Sequence, residues 1–394
     1  MTAMKHLEDL KYKGKTVFLR VDFNVPLDEN GNIRNDTRIT ASLPTINYLI
    51  GQGAKLVIAS HLGRPKGKVD PKMSLKPAAR RLSELISADI FMAPDCVGRD
   101  VDKLKKELKP KQVLLLENVR FHAEETANDE GFAQKLARGI DCYVNDAFGS
   151  CHRAHASVAA ITQFVKEKAA GFLLQKEVEY LSKAIHSPKK PYVAILGGAK
   201  VSDKIGVIQN LLNKADDILV GGAMAYTFFK AQGYEVGKSL VEDDKLPRAL
   251  EILKKAKEKK VNFYLPLDHV LATAVDKESQ TKLADAFPFP KDWMAVDVGP
   301  KTVSEYSQII AQAKTIFWNG PLGVFEVDKF SRGTIKIAEA VAASRAVSIV
   351  GGGDSIAAVE KAGVSDRISH ISTGGGASLE FLANETLPGI EALE

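Results

Sequence analysis

The chain has 394 residues, with 54 lysines and arginines against 49 aspartates and glutamates, a formal net charge of +5 that names no partner class by itself. That length suits two domains with substantial cores, so folding needs neither disulfides nor a structural metal. Three cysteines, Cys96, Cys142 and Cys151, are too sparse for a disulfide framework, no apolar run is long enough to cross a bilayer, and the N-terminus lacks a signal-peptide core, so a cytoplasmic protein is expected.

Taken in chain order, apolar β-rich runs stand at 16–21, 56–59, 113–116 and 142–144 in the first half, and at 192–196, 218–220, 263–265, 315–318 and 347–350 in the second. Helix-period stretches separate them. Near-continuous apolar strands alternating with helices predict buried parallel sheets covered on both faces, that is, an α/β fold of two doubly wound, Rossmann-like domains. Helix starts are read at Asp36-Thr37, at Ser74 and at Ser355. Between the halves, Phe172, Leu173, Val178, Leu181 and Ile185 suit one face of a helix, and Pro188 and Pro191 stop it. The predicted division is a first domain over 1–170, an interdomain helix over 171–187, a second domain over 188–379, and a tail over 380–394 that returns to the first.

Ligands in open α/β sheets bind at the carboxyl ends of strands, and the informative residues stand there. In the first half these are Asp22-Phe23-Asn24, Arg38, His61-Leu62-Gly63-Arg64, Arg120 and Arg153. Ten of the fourteen arginines lie at or before Arg153. Arg80 and Arg81 are read as surface charges, but the others sit in or after strand-end motifs, where guanidinium forks suit phosphate and carboxylate. Asp22 and Asn24, two apart, share a side of the chain, where they would receive substrate hydroxyls.

In the second half five glycine-rich segments follow strands, at 196–204, 219–223, 318–326, 349–355 and 372–378. Glycines let a backbone approach a ligand with its N–H groups outward, and a following helix adds its positive end. Lys200 and Lys204 lie on one face if a helix begins after Gly198. Ser355 is read as a helix cap, Asp354 as an oxygen ligand for a hard cation, and Glu326 as an acceptor for ribose hydroxyls.

Familiar alternatives are missing. No GxGxxG occurs, which weakens a dinucleotide-binding dehydrogenase. Gly237-Lys238-Ser239 lacks the first glycine of a P-loop and reads as a surface turn. His61, His152 and His155 have no HExxH or CxxC companions, so an anion pocket explains them better than zinc. No GxSxG elbow and no basic stripe with exposed aromatics is visible, which argues against a serine hydrolase and a nucleic-acid binder.

Together and in this order, Arg20 to Pro26, Asp36 to Ile39, Ser60 to Pro65, Glu117 to Phe121, Asn145 to Gly149, His152 to Ser157, Gly197 to Lys204, Trp318 to Glu326, Gly351 to Ser355 and His370 to Glu380 resemble the bacterial phosphoglycerate kinase family, from the first strand almost to the end. Cys151 departs mildly, standing where many members have alanine. The resemblance implies phosphoryl transfer between 1,3-bisphosphoglycerate and ADP, with magnesium, by a hinge-bending cytoplasmic monomer that binds neither nucleic acid nor membrane. It implies that Asp22, Phe23, Asn24, Arg38, His61, Leu62, Gly63, Arg64, Arg120 and Arg153 hold 3-phosphoglycerate. Arg38, Lys200, Lys204, Gly374 and Gly375 would act on the phosphoryl group. The nucleotide would meet Gly197, Gly198, Lys204, Gly221, Gly222, Gly299, Asn319, Pro321, Glu326, Gly352, Gly353, Asp354 and Ser355, with Asp354 toward magnesium.

Overall fold

A computed structural model describes residues 4–394. The chain divides into two compact units: one holds the chain up to Glu179 together with Thr386–Glu394, the other Tyr180–Glu385. Each is built on its own six-stranded sheet.

In the first unit the strands are β1 (Thr16–Arg20), β2 (Lys55–Ala59), β3 (Ile90–Met92), β4 (Val113–Leu115), β5 (Cys142–Asn145) and β6 (Glu167–Ala170). They pair in the order β3-β4-β2-β1-β5-β6, all parallel. Every residue of β1 and β5 is buried, because helices cover both faces and leave no polar side to alternate with. Register sets Arg20 level with Ala59 and Asn145. The segments leaving β1, β2 and β5 therefore emerge side by side.

The second unit holds β7 (Tyr192–Leu196), β8 (Asp217–Val220) and β9 (Asn262–Tyr264). It continues through β10 (His269–Ala272), β11 (Thr281–Ala284) and β12 (Met294–Val298) to β13 (Thr315–Asn319), β14 (Val347–Gly351) and β15 (His370–Ser372). The main sheet runs β15-β14-β13-β7-β8-β9, all parallel. Asn319 is level with Leu196 and Gly351, so three glycine-rich loops leave the sheet at one height. Trp318 is fully buried in this core, and its indole N–H is satisfied by the Gly320 carbonyl at 2.8 Å.

The parallel, doubly wound architecture agrees with the sequence reading. The strand at 370–372 is the one expected ahead of the glycines at 374–376, whereas the strands at 90–92 and 167–170 were not predicted, and neither was the antiparallel sheet β11-β10-β12. β11 is almost wholly exposed and β3 only partly buried, so neither presents the apolar run that marks a core strand.

The helix Phe172–His186 contains the point of division. Its first turn is held in the first unit: Leu173 and Leu174 N–H donate to Asp146 Oδ1, and Phe172 N–H donates to Thr45 Oγ1. The predicted tail begins too early. The helix Gly376–Asn384 stays with the second unit, where Asn210 Nδ2 donates to the Leu382 and Ala383 carbonyls at its end. The segment packed on the first unit is Thr386–Glu394: Gly389 N–H donates to the Cys151 carbonyl at 2.9 Å, and Lys168 Nζ donates to the Ala392 carbonyl at 2.7 Å.

Candidate active site

In the first unit a cationic cluster gathers at the carboxyl ends of β1, β2 and β5. Arg38, on the first turn of the helix Thr37–Gly51, places Nη1 3.1 Å from both Asp22 carboxylate oxygens and 3.2 Å from the Asn24 carbonyl. Among the described residues its Nη2 and Nε have no hydrogen-bond partner. Asn24 Oδ1 receives the Gly63 N–H at 2.8 Å, and the Gly63 carbonyl receives Arg120 Nη1 at 2.8 Å. Gly63 has φ +64 and is the turn that lets both bonds form.

Arg20, at the end of β1, is wholly buried. Its Nε donates to Ser157 Oγ at 2.8 Å, and Nη2 lies 3.3 Å from His61 Nδ1. A guanidinium can only donate, so His61 Nδ1 accepts and the neutral ring keeps its proton on Nε2. Burial, with Arg20, Arg120 and Arg38 nearby, holds His61 well below its usual range despite Asp22. Burial works against an ionised Asp22, but the Arg38 and Arg20 guanidinium groups and the Asn24 N–H bring its carboxyl below the ordinary value. Arg120 is lowered to about 10 by burial and by Arg20, and stays charged at neutral pH. His155 is lowered to about 3 by burial and by Arg120, Arg20 and Arg153.

These mutual influences bring Asp22, Arg38, His61, Arg120 and Arg153 into one electrostatic neighbourhood. Arg153 is exposed, with Nε 3.1 Å from His152 Nε2. Arg64 is exposed and bonds to none of the others. Phe23 and Leu62 are corrected: both side chains belong to the hydrophobic core, so only their backbone can meet a ligand.

In the second unit two adjoining cavities, of 210 and 310 Å³, share Gly198, Ala199, Pro321 and Asp354. The smaller adds Gly222, Leu322 and Glu326; the larger adds Lys200, Lys204, Asn319, Gly352, Gly353, Ser355 and Gly375. The loops interlock through backbone. Gly198 N–H donates to the Pro321 carbonyl at 2.8 Å, and a Cβ at Gly197 would stand 2.1 Å from that same oxygen. A Cβ at Gly221 would instead stand 2.3 Å from the Leu322 side chain, and Gly374 is buried one residue behind the lining.

Helices begin at Met224, Gly353 and Gly376, just after these glycines. The first N–H groups of the Met224 helix are already given to the Gly198, Gly222 and Ala223 carbonyls, so it is the helix ends at Gly353 and Gly376 whose N–H groups and positive charge suit phosphate oxygens. Gly352 supplies φ +95 before one helix and Gly375 φ +54 before another.

Four expectations are corrected here. No helix begins after Gly198: the helix is Ile205–Leu211, Lys200 sits exposed in the loop, and Lys204 is its buried N-cap residue. The cause is Gly198 at φ +103 and the turn over 202–204. Ser355 is not a cap; its Oγ accepts from Gly320 N–H at 2.6 Å and ties two loops together. Asn319 is buried with its amide already used, by Lys204 Nζ at Oδ1 and by the Gly351 carbonyl at Nδ2. Gly299 lines neither cavity; it stands beside Asp268, on a third cavity with Val298 and Pro300.

Lys204 is lowered to about 8 by burial, in spite of Asp203 and Asp354. Asp354 is exposed, and no hydrogen bond or ion pair engages its carboxylate among the described residues.

Residues not anticipated as part of the site are Arg20, Ser157, Glu125 and Asp297. Glu125, fully buried, accepts from Ser157 N–H and Oγ and so anchors Arg20. Arg20 is the one charge in an otherwise apolar strand run, a signal that was available. Asp297, buried on the wall of the 210 Å³ cavity, is raised to about 7 by burial while accepting from Gly333 and Val298 N–H. Among the described residues no helix is long and apolar enough to cross a membrane.

The family model described as phosphoglycerate kinase matches residues 7–385. A protein named phosphoglycerate kinase from Anaeromyxobacter sp. (strain K) is 58% identical over 394 residues, covering 100% of both chains. One of the same name from Acidobacterium capsulatum is 59% identical, covering 98% of each. The solved phosphoglycerate kinase from Coxiella burnetii superposes with a TM-score of 0.89 at 43% identity, over 99% of this chain and 98% of that one. The enzyme from Pyrococcus horikoshii OT3 gives 0.86 at 38% identity, with the same coverage. With two parallel-sheet units, an arginine cluster at the strand ends of one, glycine-lined cavities at those of the other, and this likeness along its whole length, the chain belongs to the phosphoglycerate kinase family.

Proposed function

We propose that the chain transfers a phosphoryl group reversibly from 1,3-bisphosphoglycerate to ADP, giving 3-phosphoglycerate and ATP, as a phosphotransferase with a carboxyl acceptor. The observation that carries this reading is the combination of guanidinium groups at one sheet's strand ends with a lysine-bearing glycine cradle at the other's. Both collect positive charge and N–H donors. In the reverse direction the nucleophile is a carboxylate, ionised at neutral pH, so the chemistry needs positioning and charge neutralisation but no general base. His61 fits that requirement as a neutral ring whose Nδ1 is already taken by Arg20. A dehydrogenase has no comparable support.

Arg38, with Nη2 and Nε unused, is assigned to the moving phosphoryl group, and Asp22 orients it. Asn24, His61, Gly63, Arg64, Arg120 and Arg153 hold the rest of 3-phosphoglycerate. Lys200, Lys204 and the Gly375 and Gly376 amides meet the phosphoryl group from the nucleotide side, while Gly374, whose N–H is given to Ser372 Oγ at 3.2 Å, supports their turn from behind. Gly198, Gly222 and Pro321 line the adenosine pocket, with Glu326 toward the ribose. Asn319 and Ser355 position Lys204 and the glycine loops.

Asp354 fits magnesium: it is an unengaged, exposed carboxylate beside the Gly352-Gly353 amides, and this ion keeps several waters while using one or two carboxylates and substrate phosphates. When bound it offsets charge on the nucleotide phosphates. Donor and acceptor must meet in line with water excluded, so the reading includes closure about a connector at 171–187. A cytoplasmic monomer without nucleic-acid or membrane partners completes it.

A coupled assay tests the reading: ATP and 3-phosphoglycerate are supplied, and 1,3-bisphosphoglycerate is reduced by an NADH-linked auxiliary enzyme. Turnover is expected only with both substrates. Folded protein without turnover under those conditions would overturn the assignment.

A further inference from the structure

Away from the arginine cluster, an Asp95 carboxylate oxygen, Cys96 Sγ and a His122 ring nitrogen lie within 4.8 Å of one another. Two separate segments bring them together. Asp95 and Cys96 follow β3, where Ala93 N–H still pairs with the Leu115 carbonyl at 2.9 Å. His122 follows the turn Val119–Phe121, and its ring stacks on Phe132 at 5.1 Å. Its Nε2 lies 2.7 Å from Asp95 Oδ1. The thiol is wholly buried, while the His122 and Asp95 side chains are 26% and 45% exposed.

We propose that Asp95, Cys96 and His122 form a binding site for a zinc-class divalent cation. The His–Asp pair accounts for the 2.7 Å contact, Asp95 Oδ1 also accepts the Cys96 N–H at 2.6 Å, and the Cys96 thiol, a hydrogen-bond partner of the same carboxylate, completes a set of one sulfur, one nitrogen and one oxygen donor. Tetrahedral zinc with bonds of about 2.0–2.3 Å sets its donor atoms roughly 3.5 Å apart. Modest side-chain rotation brings the three to that spacing, and the ion replaces the shared proton. The exposed side leaves a fourth position for water. A sulfur, nitrogen and oxygen set selects a borderline ion over magnesium or calcium, which take oxygen alone. Phe132 and the Val119–Phe121 turn hold the imidazole as a ligand's surroundings must.

The test is titration of chelator-treated, full-length protein with Co2+ in excess Mg2+, followed by near-ultraviolet absorbance. One equivalent is expected to produce a thiolate-to-cobalt band that zinc then abolishes. Cys96→Ser is expected to remove the band, while Cys142→Ser and Cys151→Ser keep it. His122→Gln is expected to weaken binding by more than the roughly 10–100-fold typical of losing a mere supporting partner. Absence of the band in the parent, or its survival in Cys96→Ser, overturns the site. If Cys96→Ser does not fold, His122→Gln decides: unchanged affinity there overturns it as well.

Discussion

Lys204→Met separates a functional lysine from a structural one, because activity and stability are expected to move in opposite directions. Burial takes Lys204 from its ordinary 10.5 to about 8, which corresponds to about 3 kcal/mol against the charged form. Between these values the unfolded chain binds the proton and the folded one does not, so stability rises with pH across that window; below pH 8 the cost is fully present. Methionine removes the cost at pH 7. It also leaves Asn319 Oδ1 without its donor, a loss of about 1–3 kcal/mol. The variant is therefore expected to be as stable as the parent or up to about 2 kcal/mol more so in urea denaturation at pH 7. Turnover, by contrast, is expected to fall on the order of 10²–10³, the scale of losing a charge aimed at a transition state. In the parent, kcat/KM for ATP is expected to drop about tenfold from pH 7 to pH 9 as the free lysine deprotonates, and this alkaline limb is expected to vanish in the variant. The coupled assay between pH 6.5 and 9.5 reads both. Turnover within tenfold of the parent, or an unchanged alkaline limb, would refute the reasoning.

Arg38→Ala is expected to lower turnover by about 10²–10³ while weakening 3-phosphoglycerate binding far less, as calorimetry and steady-state kinetics together report; near-parental turnover removes Arg38 from the mechanism. Asp354→Asn replaces an anionic oxygen by an amide and is expected to raise the magnesium needed for half-maximal rate with 3-phosphoglycerate affinity unchanged; identical magnesium dependence contradicts the assignment. Gly197→Ala puts a Cβ 2.1 Å from the Pro321 carbonyl and 2.6 Å from that of Gly320, backbone that has no room to yield; a loss of about 1–3 kcal/mol and weaker ATP binding are expected, measured by thermal melts with and without nucleotide. The radius of gyration from solution scattering is expected to fall most with 3-phosphoglycerate and a non-hydrolysable nucleotide together, and no change with the pair would rule out closure.

The parallel sheets were legible in the amino-acid order because a strand buried on both faces has to be apolar throughout: 16–20, 192–196 and 315–319 announce themselves. The glycine loops and most strand-end arginines were legible for a related reason, since a turn at φ +95 or an arginine at a strand end is a local requirement. Short strands such as β3 and β11 were not, because partial burial leaves no one-dimensional pattern. Lys200 and Lys204 look equivalent in sequence, yet one is exposed and the other is buried on Asn319, a difference set by the fold of residues 198–204. Asn319 and Ser355 read as ligands until packing revealed their polar atoms already paired with Lys204, Gly351 and Gly320. Arg20, anchored through Ser157 to Glu125, joins residues 137 and 32 positions apart. Sequence determines which groups are available and where the backbone can turn. Which of them remain unsatisfied, and so free for a ligand, is decided only by the partners that tertiary structure brings to them.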